Sequence, residues 1–203
     1  MSQIDLFLIV LLVASIMDLL VPTFLAKQYP GYSHFSDTIS TLGTSVSPVK
    51  KYQCLNLVIV GLLFIVFSAG QALLFRRIAW CHVLYILGIG VFGLGTIMAG
   101  IFPEDPQGAG ETVSGKIHGI SSGMGFIFLI LNPLWALWVD EFNNIKLING
   151  IIFPSAVITF VLFIVSEMKS SGILKYTGLF QRINIIILYS HLVVNYIYIR
   201  IGI

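Results

Sequence analysis

Residues 4–25 read IDLFLIVLLVASIMDLLVPTFL, an apolar run as long as the roughly 20 residues a helix needs to cross a bilayer. A single carboxylate, Asp18, interrupts its interior. The run has no basic lead and no small-residue cleavage pattern before Lys27, so we read it as a retained first span and not a signal peptide. Working outward, windows of about 20 residues pick out further apolar runs near 53–75, 79–102, 117–139, 147–167 and 183–201. Pro103, Ser114, Gly115, Asp140, Glu141, Asn143 and Asn144 punctuate them.

Composition agrees with that reading. Of 203 residues, 10% are charged and 57% hydrophobic, and the mean hydropathy is +0.97, more apolar surface than one soluble core could hide. Backbone groups in lipid must be satisfied within the segment, which selects helices for runs of this length. The expected fold is therefore an all-α polytopic membrane protein, one domain over 1–203, with six transmembrane helices. A net charge of +2, scattered along the chain, gives no clustered basic face and excludes nucleic acid as a partner. Cys54 and Cys81 begin consecutive antiparallel spans from opposite faces, so no disulfide joins them.

Six spans put both termini on one face and the long loops 26–52, 103–116 and 168–182 on the other. Lys and Arg number seven on the long-loop face (Lys27, Lys50, Lys51, Lys116, Lys169, Lys175, Arg182) against four opposite (Arg76, Arg77, Lys146, Arg200). A plain count makes the long-loop face cytoplasmic. Excluding Lys27, Lys116 and Arg182 as functional leaves the count even.

The polar residues gather on that long-loop face. In Ser33–Gly43, a helical projection puts Phe35, Ile39 and Leu42 on one side and His34, Asp37, Thr38 and Thr41 on the other. This predicts a short interfacial helix over 34–42 between spans one and two, ended by Gly43. Its polar face either meets water or aims His34 and Asp37 into a site. Loop three carries Glu104 and Asp105 and leads to Lys116 and His118 at the entrance of span four, where the helix dipole disfavours an imidazolium. Span six opens with Gln181 and Arg182 and holds His191 deeper. Asp18 is the sharpest anomaly, since a lone carboxylate in hydrocarbon costs about 3 kcal/mol even on the insertion scale. Arg182, His118 and His191 are the partners the topology offers it.

Gly88-Ile89-Gly90-Val91-Phe92-Gly93 matches a dinucleotide fingerprint, yet it lies inside an apolar span with no preceding strand, so it carries no such function. The glycines of spans three and four instead predict close packing of these two helices. His191 has Asn195, not a second histidine, one turn on, so no metal ligand set is assigned. No cofactor is identifiable from these residues.

Gly31-Tyr32, Asp37 to Gly43, Phe102-Pro103-Glu104-Asp105, Ile117-His118-Gly119 and Gly178-Leu179-Phe180-Gln181-Arg182 together resemble the prokaryotic six-span membrane family known as domain of unknown function 998. The resemblance covers almost the whole chain and implies the six-span fold without an activity. It also implies a cytoplasmic N-terminus in the cell membrane and an extracytoplasmic long-loop face, the orientation we expect.

Asp37, His118 and Arg182 are expected to converge on one pocket floored by Asp18. One reading is a membrane-embedded enzyme acting on a lipid or lipid-linked substrate, with His118, Asp37, His34 and Asp105 as acid, base or ligand groups. A second is a non-catalytic lipid or small-molecule binder or carrier, with Arg182 and Lys116 on an anionic head group, Asp37 and His34 shaping the mouth, and Asp18, Gln181 and His191 as further candidate ligand-binding residues. A third is an accessory subunit whose polar residues only join helices.

Overall fold

The computed structural model describes residues 3–73, 75, 78–168 and 175–202. Seven α-helices occupy them: α1 Gln3–Ala26, α2 Lys50–Gln71, α3 Trp80–Ile101, α4 Val113–Ile130, α5 Asn132–Ala136, α6 Lys146–Glu167 and α7 Thr177–Gly202. Six spans are long and apolar enough to cross a membrane: Asp5–Ala26, Lys50–Gln71, Trp80–Ile101, Val113–Ala136, Asp140–Glu167 and Thr177–Ile201. The fourth combines α4 and α5, separated where Pro133 supplies no backbone donor. No strand occurs among the described residues. This is an all-helical, multi-pass membrane protein, and its lipid-facing side chains, such as Leu20, Leu62, Leu94, Ile158 and Ile197, are exposed as the bilayer requires. The Arg76-Arg77 turn and Lys169 lie outside the described residues.

Small residues set the helix spacing. A Cβ on Gly61 of α2 would stand 2.5 Å from the Gly93 carbonyl oxygen, and one on Gly93 of α3 would stand 2.8 Å from the Gly61 carbonyl oxygen. The two backbones therefore touch. Gly95, on α3, meets Ser121 of α4 in the same way. The expected contact of spans three and four is present, and α2 makes a second one that the sequence reading missed. Aromatic rings fill the interior beside it, with Phe64 edge-on to Phe92 at 5.0 Å and tilted against Tyr189 at 5.2 Å. Cys54 and Cys81 are both free. Cys54 lies by the Gly43 carbonyl and Cys81 by that of Trp138.

The predicted helix over 34–42 is not what forms. Residues 34–37 make turns, and only Ser40–Gly43 winds into a single 3₁₀ turn. The cause is local competition for carbonyls. A helix would give the His34 and Asp37 carbonyls to Thr38 and Thr41, but Arg182 Nη1 takes them, at 2.9 and 3.0 Å. Thr41 N–H donates to the Thr38 carbonyl instead. The apolar stripe also splits, with Ile39 and Leu42 buried under the loop and Phe35 exposed.

Candidate functional site

Two voids lie on the long-loop side. The larger, a cavity of about 610 Å³, is lined by Tyr29, Tyr32, Asp37, Thr38 and Thr41 from loop one, Glu104 and Asp105 from loop three, and Ser166, Glu167, Lys175 and Thr177 from the ends of α6 and α7. The smaller, a crevice of about 40 Å³, lies among Asp18, Ser40, Thr96, Ser122, Gln181 and apolar neighbours. Thr38 faces the cavity while Ile39 and Ser40 face the crevice, so this short backbone stretch is the wall between them.

Arg182 builds that wall. Its Nη1 donates to the His34, Asp37 and Gly178 carbonyls, and its Nη2 donates to the Tyr32 hydroxyl. Tyr32 in turn donates to the Thr38 carbonyl at 2.9 Å. Gly178 is required by the closeness of loop one, because any Cβ there would collide with the Asp37 carbonyl. Gln181, one position before Arg182, accepts from the Ile39 N–H at 2.7 Å. The first turns of α7 thus hold loop one through backbone atoms. The Asp37 carboxylate is free to face the cavity while accepting from Ser33 N–H at 2.7 Å.

Glu104 dominates the cavity's electrostatics. Burial first, then the nearby Glu167 carboxylate and more weakly that of Asp105, push its carboxyl up to about 7, against an opposing hydrogen bond from Thr38. Asp105 moves the other way: the Thr112 N–H at 2.8 Å and hydroxyl at 2.7 Å both donate to it and hold its carboxyl below the usual range. Burial, with help from the Arg182 charge, lowers the His34 pKa. The His34 ring lies edge-on to Tyr32 at 5.4 Å.

The expected single pocket is therefore two. Asp37 and Asp105 line the cavity, Asp18 and Gln181 line the crevice, and His34, His118 and Arg182 line neither. His118 bridges three elements, with Nδ1 3.0 Å from the Phe102 carbonyl oxygen and Nε2 3.1 Å from Ser40 Oγ. Asp18 is partnered by none of the three expected residues. Tyr189 Oη donates to its Oδ2 at 2.7 Å, because Tyr189 lies two helical turns below Arg182, level with Asp18, and Arg182 is turned outward onto loop one. His191 sits elsewhere, among Asn149 and Asn195. Lys116 pairs with Glu111 at 3.5 Å, both well exposed. Glu104, Glu167, Tyr32 and Tyr189 went unselected. Glu104 alone had a signal, an acidic turn closing a span, while the others read as a helix end and two ordinary aromatics.

Among the described residues, no three His, Cys, Asp or Glu side chains gather as a metal site. The geometry defines a six-span helical membrane protein with a polar cavity at one face. The chain belongs to the family described as Protein of unknown function (DUF998), whose model matches residues 12–195. No curated protein and no solved structure matches the chain.

Proposed function

We propose that this protein is a membrane-embedded enzyme that performs acid–base chemistry on the head group of a lipid or lipid-linked substrate held in the 610 Å³ cavity. The observation that carries the reading is Glu104, a carboxyl held near 7 beside Asp37, Asp105 and Glu167. A group poised there exchanges protons at neutral pH, and Asp37, a second carboxylate in the same cavity, is placed to take the complementary role. Glu104 is the proton donor and Asp37 the acceptor. Asp105, His34, His118 and Arg182 hold the loops that carry them.

The same lining selects the head group. Four carboxylates face one cation, Lys175, among the described residues, which favours a hydroxyl- or amine-bearing head over a bare anion. Arg182 and Lys116, the cations assigned to an anionic head group from sequence, lie outside the lining. A carrier reading needs no nucleophile, and among the described residues no cavity-lining Ser or Thr hydroxyl has a histidine partner.

Mass spectrometry of lipids retained by the purified protein, and of products formed in vesicles of those lipids, separates these readings. For the enzyme, a product accumulates with wild type and falls by about 10²-fold or more in Glu104→Gln. Retention that depends on Glu104 and Asp37 without any product selects the carrier, and retention indifferent to both substitutions rejects the cavity as the site.

We further propose that the long-loop face is extracytoplasmic, as the family resemblance implies; the chain itself has no basic lead, and the Arg76-Arg77 pair on the opposite face supports the orientation. Single cysteines introduced at Gln107 and Asn144 and treated with an impermeant maleimide in intact cells should label at position 107 alone. Labelling only at 144 reverses the orientation.

A further inference from the structure

The crevice beneath the wall has an ordered chemical sense. His118 Nδ1 faces two carbonyl oxygens, of Phe102 at 3.0 Å and Ala99 at 3.3 Å, so it carries the proton. A neutral ring donating from Nδ1 accepts at Nε2, and the Ser40 hydroxyl hydrogen is therefore directed to it, 3.1 Å away. Thr96 Oγ1 donates to the Phe92 carbonyl at 2.9 Å, and Ser122 Oγ donates to the His118 carbonyl at 2.7 Å. All three hydroxyls lining the crevice have their hydrogens engaged elsewhere, leaving oxygen lone pairs for the void.

Asp18 completes the set. It is 4% exposed, it lines the same crevice, and Tyr189 is its one hydrogen-bond donor among the described residues. A carboxylate accepts about four hydrogen bonds, and none of the ion pairs among the described residues involves it. Pro22, four residues on, has no N–H for the Asp18 carbonyl, so the helix leaves a second oxygen of this residue without its usual donor. The crevice, about 40 Å³ among these oxygen-bearing side chains and apolar neighbours, has room for a small ion, since about 10–15 Å³ on that measure already holds a water molecule.

We infer that this crevice is a binding site for a monovalent hard cation, Na⁺ by size, with Asp18 as its charged ligand and Ser40, Thr96 and Ser122 as neutral oxygen ligands. Oxygen donors of this kind suit hard cations. One carboxylate neutralises one positive charge, whereas a divalent ion would leave net charge inside the membrane. The site is separate from the cavity and does not depend on the function proposed for it.

The test is a NaCl titration of the purified protein against N-methylglucamine chloride at matched ionic strength, reading the thermal midpoint and retained radioactive sodium. Expected are a saturable rise in midpoint with Na⁺, weaker with K⁺, bound sodium near one per chain, and loss of both signals in Asp18→Asn. Thr96→Val, which keeps shape and removes a lone pair, should weaken apparent Na⁺ affinity by about tenfold, and it preserves the test should Asp18→Asn not fold. Superimposable curves in Na⁺ and N-methylglucamine, or full sodium retention by Thr96→Val and Asp18→Asn, overturn the site. A midpoint that follows pH alone overturns it too, because Asp18 would then be a protonated carboxyl beside water.

Discussion

Arg182→Ala should free the first long loop from α7 and destabilise the protein by about 3 kcal/mol or more, because three backbone carbonyls and the Tyr32 hydroxyl lose a charged donor together. The loop cannot replace those bonds by becoming the helix its sequence suggests, since Ile39 and Leu42 would have to leave the core. Arg182→Lys should recover little of the loss. A single ammonium cannot serve the carbonyls of His34, Asp37 and Gly178 from one side and Tyr32 from the other, whereas a planar guanidinium does both. Thermal midpoint and limited trypsin cleavage after Lys27 and Lys50 measure the effect. Unchanged cleavage in Arg182→Ala would mean that loop one is held by its apolar contacts alone.

The second large effect is a pH dependence located in one residue. The Glu104 carboxyl lies near 7 in the folded protein against 4.5 for an ordinary glutamate. A raised folded value means that its stabilising contribution is complete below about pH 4.5 and is lost as pH rises through 7. The shift corresponds to about 3 kcal/mol at full ionisation. Glu104→Gln, which cannot ionise, should therefore flatten the fall in thermal midpoint between pH 5 and pH 8 and become more stable than wild type at the alkaline end. Glu167 and Asp105 act on Glu104 by like-charge repulsion, so Glu167→Gln should lower the midpoint of that transition without abolishing it. Identical pH profiles for wild type and Glu104→Gln would remove the basis for assigning it the proton-donor role.

Much of the site was legible as a neighbourhood and little of it as geometry. The sequence put Asp37, Glu104, Asp105, His118, Gln181 and Arg182 at one membrane face, because span counting alone assigns loops to faces. It gave the cavity to Asp105 in place of Glu104, adjacent carboxylates that one-dimensional reading cannot tell apart. Their difference lies in Thr112, which donates twice to Asp105, and in Glu167, which reaches Glu104 from the far end of α6. Partner choice for Asp18 failed similarly. Charge complementarity pointed to Arg182, but Arg182 and Tyr189 lie two turns apart on nearly one face of α7, and depth along the helix gives Arg182 to loop one and Tyr189 to Asp18.

By itself the sequence determined the number of spans, their approximate limits, the all-helical class and the face on which the long loops meet. Those properties follow from transfer free energies summed over some twenty residues, a quantity that needs no knowledge of neighbours. Only the tertiary structure decided that the predicted loop helix becomes one 3₁₀ turn, that one polar pocket is two voids, and that Ser40, Thr96 and Ser122 share a crevice with Asp18. Each of those depends on which of several competing acceptors a given donor reaches. That choice is fixed by helix rotation and by close approaches such as Gly61 on Gly93 and Gly178 on Asp37, at distances where an ångström decides whether a hydrogen bond exists.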